Sequence, residues 1–256
     1  MLVYLNCNHM RDHIDINCDM GEGMGNEEAL MPFISSANIA CGYHAGDTNS
    51  ILHTLELCKQ FNVAPGAHPS FLDRSNFGRR EMELPVTELY ELIIQQLLIM
   101  QEMADMAEVS LRHVKPHGAL YNMSAREPLV AQVIAKAVKN FNSKLFLVGL
   151  SGSCSIEQAI EIGLNTISEV YADRTYQEDG TLTPRGTAEA MITDASVAAA
   201  QVLEMVKEGT VTTVSGVKIP IVAESICLHG DGPHVLEFAT TIHRNLKEKG
   251  IDIRPS

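Results

Sequence analysis

Polar and titratable residues recur just after short apolar runs, often with glycine, alanine or proline beside them. The segments begin with Asn17-Cys18-Asp19-Met20-Gly21-Glu22, Cys41-Gly42-Tyr43-His44-Ala45-Gly46-Asp47 and Gly66-Ala67-His68-Pro69-Ser70. They continue with Lys115-Pro116-His117-Gly118, Glu169-Val170-Tyr171-Ala172-Asp173-Arg174 and Cys227-Leu228-His229-Gly230-Asp231. Imidazoles and carboxylates suit proton transfer or metal ligation, and an ammonium suits a developing oxyanion or a phosphoryl group. Asp19, His44, Asp47, His68, Lys115 and His117 are therefore the candidate catalytic residues. Asp19, Asp47 and His117 are the candidates for activating water, with histidine favoured because its free pKa lies near neutrality. A lone histidine at a strand end is more often structural. Four of them, His44, His68, His117 and His229, each close to a small residue or proline, point instead to one site where a ligand approaches the backbone closely. His53 and His243 read as surface residues and His234 as a helix-start residue.

Phe77-Gly78-Arg79-Arg80 is a basic spot in an acidic chain, either a solvated pair or an anion anchor. Arg79, Arg80 and Arg174 are candidates to hold an anionic group, a carboxylate or a phosphate, and Asn17, Asn38, Glu169, His229 and Asp231 complete the candidate substrate-binding set. The chain has no HExxH, GxSxG or GxGxxG motif, and no GxxxxGK[ST] P-loop for ATP.

To gather such residues at one mouth, the chain needs strands that all run the same way. Strand-like runs cover residues 14–19, 38–41, 63–68, 112–117, 144–149, 167–171 and 225–229. Helical patterns between and after them cover about 26–35, 48–61, 86–108, 127–140, 154–163, 188–208 and 234–249, with a small hairpin at 211–221 around Gly216. This alternation predicts a parallel sheet covered by helices, as one seven-stranded (β/α) barrel of TIM-like form, with an open doubly wound sheet as the alternative. In α/β folds ligands bind at the carboxyl ends of the strands, where these segments lie. Strand parity agrees: Asp15, Asn17 and Asp19 share one face, and His113, Lys115 and His117 are likewise spaced by two. Both sets would face the barrel interior, a costly arrangement unless it is hydrogen-bonded or functional.

Composition bounds the reading. Of 256 residues 45% are hydrophobic, with no tryptophan, enough for one sizeable core of aliphatic side chains. A formal charge of −13 argues against nucleic acid as the main partner. The six cysteines form no CxxC pair and read as small core residues of a reduced, cytoplasmic protein, so the Asn122-Met123-Ser124 sequon carries no meaning. The apolar run near 92–100 is broken by Gln95 and Gln96 and reads as a buried helix, which leaves no membrane span. Residues 1–11 read as an N-terminal extension, with Met10 an alternative start, and 12–256 as a single catalytic barrel domain.

Taken in order, these segments resemble the LamB/YcsF family, from about Asp12 to the C-terminus. The matching stretches are 15–22, 37–47, 66–70, 77–80, 113–122, 169–176 and 227–231. The resemblance implies a barrel of the glycoside hydrolase/deacetylase type. It also implies ATP-dependent opening of 5-oxo-L-proline to L-glutamate, with ATP (and Mg) as co-substrate and two partner subunits related to the lobes of allophanate hydrolase. Lactam opening is unfavourable enough to need coupling, and phosphorylation of the amide oxygen would turn that oxygen into a leaving group. With no P-loop here, partner subunits would contribute much of the nucleotide chemistry. A protein-bound metal stays open: Asp19 with two of His44, His68 and His117 could hold Zn²⁺ for an ATP-independent deacetylase. A non-catalytic lactam-binding module is a third reading.

Overall fold

Strand β1 (His13–Met20) sets the pattern that the rest of the fold repeats. Ile14, Ile16 and Cys18 are fully buried apolar residues, and between them Asp15, Asn17 and Asp19 point the opposite way. A parallel sheet wrapped by helices buries both faces, so apart from Asp19 at the carboxyl end neither set reaches bulk water. The structure, a computed structural model, describes residues 12–228 and 234–256. The N-terminal extension expected at 1–11, and with it His229 and Asp231, lies outside the described residues.

In chain order the elements after β1 are α1 (Glu27–Leu30), β2 (Ser36–Ala40), α2 (Thr48–Phe61), β3 (Ala64–His68), α3 (Val86–Met106) and β4 (His113–Val114). Then come α4 (Gly118–Arg126), α5 (Pro128–Phe141), β5 (Phe146–Leu150), α6 (Cys154–Glu161), β6 (Asn165–Tyr171) and α7 (Ala195–Glu208). The hairpin β7 (Thr210–Thr212) and β8 (Lys218–Pro220), β9 (Ser225–Leu228), α8 (Val235–Glu248) and β10 (Asp252–Ile253) complete the chain. Strands β1 to β6 pair in sequence, all parallel, and β9 pairs with both β6 and β1, which closes a seven-stranded barrel. The open-sheet alternative is thereby set aside. β10 adds a short parallel pairing at the start of β1, His13 to Asp252 and Ile14 to Ile253.

Outside the barrel, apolar faces of the helices cover the outward strand residues. α2 is started by a capping box in which the Asp47 side chain accepts from the Ser50 N–H and the Ser50 hydroxyl lies 2.8 Å from the Asp47 N–H. It ends at Asn62 in the left-handed conformation, φ 57°.

Four elements differ from the sequence reading. The helix expected at 26–35 is one turn, α1, followed by a 3-10 turn at Met31–Phe33, because Pro32 has no N–H to extend the ladder. β4 is regular only at His113–Val114, since Pro116 cannot pair on the β5 side; the Lys115 and His117 N–H groups still donate to Ala67 and Pro69. Residues 118–126 form a helix, α4, where none was expected. α7 begins at Ala195 rather than near 188, because Asp194 caps the N–H groups of Ser196 and Val197. The preceding loop is held by bridges from Arg174 to Met191 and from Tyr176 to Leu182. Cys18, Cys41, Cys58, Cys154 and Cys227 are free thiols.

Candidate active site

The barrel interior is a connected polar network. At its lower level Asp15 accepts from Ser35 at 2.6 Å, from Ser36 at 2.7 Å and from Ser225. Burial pushes its carboxyl pKa up despite these bonds. One level higher, the Asn17 amide donates to Glu169 at 2.9 Å and to Ser225 at 2.7 Å, spanning from β1 to β6. Its carbonyl accepts from Asn38 at 2.7 Å and Lys115 at 3.1 Å. Asn38 also donates to Asp19 Oδ1 at 2.8 Å, and its own carbonyl faces His113 Nε2 at 2.8 Å. Since an amide oxygen only accepts, His113 is the donor there; burial, and then Lys115 nearby, lower its pKa to about 3, which keeps the ring neutral at pH 7.

Lys115 stands on the axis of this network, 2% exposed. Its Nζ lies 2.8 Å from Glu169 Oε1, 3.0 Å from Asp19 Oδ1, 3.1 Å from Asn17 Oδ1 and 3.1 Å from Cys227 Sγ. Burial opposes the charge, but Asp19, Cys227 and Glu169 outweigh it and hold the ammonium well above the usual lysine range. Three N–H donors facing four acceptors are fully used. Lys115 fixes Asp19 and Glu169 and presents no spare donor to a substrate.

Above the network, at the carboxyl ends of the strands, four side chains converge. Their ligand atoms, one each from Asp19, Glu22, His68 and His117, all lie within 4.8 Å of one another. His68 Nδ1 is 2.7 Å from the Lys115 carbonyl, and His117 Nε2 is 2.9 Å from the Phe77 carbonyl. Carbonyls only accept, so each of these nitrogens carries the proton. The other nitrogens, His68 Nε2 and His117 Nδ1, then face each other with bare lone pairs at 3.0 Å. Glu22 Oε1 lies 3.3 Å from His117 Nδ1, and Asp19 Oδ2 lies 3.5 Å from His68 Nε2. Two lone pairs between two carboxylates repel unless a proton or a metal cation lies among them.

His44 packs behind, its ring stacked on His117 at 3.9 Å, with Nε2 3.3 Å from Glu22 Oε1. Burial, then His117 and His68, hold its pKa far below the ordinary range. His117 is lowered to about 3, by burial and then by His68. Gly78, at φ +65°, lets the loop after β3 reach this cluster: a Cβ there would sit 2.1 Å from the Ser70 hydroxyl and 3.1 Å from the His117 ring.

A cavity of about 170 Å³ opens over Lys115 and His117, with Asp19, Arg79, Arg174 and Tyr171 in its wall. Arg79 is exposed beside it and lies over the Phe77 ring at 5.1 Å. Arg174 is buried, donating to the carbonyls of Thr183 at 2.6 Å and Ala190 at 3.2 Å.

Of the sequence candidates, Asn17, Asp19, Asn38, His44, His68, Lys115, His117 and Glu169 meet in or beneath this site, and Arg79 and Arg174 border it. Asp47 does not join them: its exposed carboxylate caps α2, which also holds its pKa low. Arg80 is exposed and lies outside the cavity lining. Sequence reasoning missed Glu22, Tyr121, Asn122 and Arg185, all in the wall. Glu22 lay within a quoted segment, three residues beyond Asp19. The turn at Gly21, φ +70°, intervenes and defeats strand parity as a guide.

The LamB/YcsF family model matches residues 14–256. The chain belongs to the LamB/YcsF family. Among curated relatives of this LamB/YcsF chain, the A subunit of 5-oxoprolinase from Histophilus somni is 50% identical over 243 residues, covering 95% of this chain and 98% of that one. The A subunit of 5-oxoprolinase from Oceanobacillus iheyensis is 47% identical, covering 96% and 97%. The crystal structure of a lactam utilization protein from Thermus thermophilus superposes with a TM-score of 0.91 at 37% identity, covering 95% of this LamB/YcsF chain and all of that one. Among the described residues no helix is long and apolar enough to cross a membrane.

Proposed function

We propose that this chain is the A subunit of a 5-oxoprolinase, which opens 5-oxo-L-proline to L-glutamate at the expense of ATP together with two further subunits related to allophanate hydrolase. The observation that carries this is the 50% identity to a protein named as the A subunit of 5-oxoprolinase, over nearly the full length of both chains. Cavity size supports it. About 170 Å³ falls below the roughly 300–1,000 Å³ of pockets for drug-sized ligands, so it suits a five-membered ring bearing a carboxylate. Arg79 and Arg174 at the rim would take that carboxylate. The terminal phosphoryl group of ATP would pass to the amide oxygen with release of ADP. Water would add to the amide carbon, the carbon–nitrogen bond would break as the ring nitrogen takes a proton, and a second water would hydrolyse the resulting acyl phosphate to the carboxylate and inorganic phosphate. Asp19 and Glu22 are the carboxylates placed to take the water's proton, with Lys115 and Asn38 holding Asp19 in position.

The test is lactam-dependent ATP hydrolysis by this chain assembled with its candidate partner subunits. Turnover that depends on all components is expected, with a loss of at least 100-fold in Asp19→Asn. Wild-type rates in Asp19→Asn, or no lactam dependence, would sink the proposal.

The facing lone pairs of His68 and His117 favour a divalent ion at the same site. Asp19, Glu22, His68 and His117 would hold it, each imidazole already oriented by a carbonyl on its far nitrogen, as in protein zinc sites. When bound, such an ion acts as a Lewis acid on an amide or acyl oxygen. Elemental analysis of purified protein should show close to one ion per chain, lost in His68→Ala. If chelator-stripped enzyme hydrolyses acetylated substrates on metal addition without ATP, the deacetylase reading replaces the first.

A further inference from the structure

Asp19 and Glu22 reach the mouth in different ways. Asp19 belongs to a strand, and Asn38 and Lys115 hold its Oδ1 at 2.8 and 3.0 Å. Glu22 lies past the turn at Gly21, beyond Met20, the last residue of β1 that pairs with β2. The ladder that aims Asp19 therefore does not aim Glu22. What packs against that turn is the loop 41–47 after β2. Arg74 ties this loop down by donating to the Gly42 and Gly46 carbonyls at 3.1 and 2.9 Å. Gly46, at φ +76°, sits directly on the turn: a Cβ there would lie 2.7 Å from the Gly21 carbonyl oxygen. His44, midway along the loop, is thereby carried to Glu22.

The His44 ring is clamped on three sides. It stacks on His117 with the planes 8° apart, and it meets the rings of His68 and Phe77 edge-on, with centroids 5.7 and 5.6 Å away. Nε2 lies 3.3 Å from Glu22 Oε1, while Nδ1 is buried and makes no hydrogen bond. Burial keeps the ring neutral, so it carries one N–H. A bare Nε2 would set a lone pair against a carboxylate, so the proton is on Nε2 and donates to Glu22. Nδ1 is then a lone pair shut away from water, a cost that a leucine of similar volume would not carry. Packing alone does not account for a histidine here.

We propose that His44 is a positioning residue: its Nε2–H fixes the Glu22 carboxylate, keeping Oε1 at 3.3 Å from His117 Nδ1 and so completing the set that would hold a divalent ion. The inference rests on the ion reading given above. His44 acts through Glu22 and is no part of the cavity wall.

Two variants separate the hydrogen bond from the packing. His44→Leu and His44→Gln both lose the ring stack, and only His44→Gln keeps an N–H near the place of Nε2. In crystal structures Glu22 should leave His117 in His44→Leu and keep its place in His44→Gln. Zn²⁺ binding by the full chain, read by chelator competition, should weaken about 10-fold or more in His44→Leu, as when the outer partner of a ligand is removed, and largely recover in His44→Gln. His44→Leu should melt no lower than wild type, since it removes the orphaned nitrogen. In a Glu22→Gln background it should cause no further loss of Zn²⁺ affinity, because two residues that act through one contact do not add. Any of four results would overturn the role: Glu22 unmoved in His44→Leu, equal losses in both variants, losses additive with Glu22→Gln, or a His44→Leu chain that melts well below wild type. A wild-type chain that binds no Zn²⁺ would remove the ion reading, while Glu22 displaced in His44→Leu and retained in His44→Gln would still uphold His44 as the residue that places it.

Discussion

Lys115 is a fully buried cation whose neighbours include two carboxylates, and removing it tests whether the site and the fold share one foundation. Lys115→Ala would leave Asp19 and Glu169 facing each other in the barrel with no counter-charge. Breaking a buried pair from one side costs about 3–5 kcal/mol, so the urea midpoint of Lys115→Ala should drop sharply; an unchanged midpoint would show that water already screens the interior. His113 makes a second prediction. Folded, its pKa is about 3; unfolded, it returns to about 6.5. Between those values the unfolded chain binds a proton that the native chain refuses, so stability rises with pH across that window and is lost as pH falls through it. Above about 6.5 the residue contributes no pH dependence. Unfolding free energy measured from pH 7 to 4 should fall by up to about 1.4 kcal/mol per unit for each such histidine, and His113→Gln should lessen the slope. At this scale the sequence was most informative where strand parity rules, as for Asn17, Asp19 and Lys115. It failed at Asp47, because an aspartate before a helix is equally a cap and a candidate base, and only geometry separates the two.

Strand β3 and strand β4 meet through a glycine. The His113 ring occupies the space a side chain at Gly66 would fill: a Cβ there would lie 2.2 Å from His113 Nε2. Gly66→Ala must displace a ring whose other contact is the Asn38 carbonyl, and with it the amide that positions Asp19. Overpacking of this kind costs about 1–3 kcal/mol. Chemical unfolding should show that loss together with weaker metal or lactam binding; a loss of stability with full binding would mean the Asn38 relay is slack. The element boundaries that sequence missed share a cause. Pro32 and Pro116 end regular hydrogen bonding where apolar periodicity continues. α4, reading Gly118 to Arg126, has no distinct apolar stripe long enough to announce it, and packing beside α5 and α6 stabilises it instead. The hairpin β7–β8, by contrast, was legible from Gly216 at a turn between two β-branched runs.

Closure of the barrel depends on β9 reaching β1 from the far end of the chain, a pairing no local pattern encodes; what the sequence supplied was the number of strand–helix units and the lack of any linker. Closure also divides the molecule's charges into two populations that respond differently to salt. Inside, Lys115 and Glu169 are shielded from water and ions, with Asp19 beside them at the edge of the cavity. Outside, the chain carries nearly all of a net charge of −13, and exposed pairs such as Lys59–Glu108 at 3.0 Å and Lys218–Glu208 at 2.8 Å each contribute little. Surface self-repulsion therefore outweighs surface pairing, and it is screened once the Debye length shortens to about 10 Å near 0.1 M salt. Thermal melts at pH 7.5 should show Tm rising by a few degrees from ~10 mM to ~200 mM sodium chloride, then flattening, with the buried network insensitive throughout. A Tm that falls over that range would mean the exposed pairs hold the fold more than the excess charge strains it.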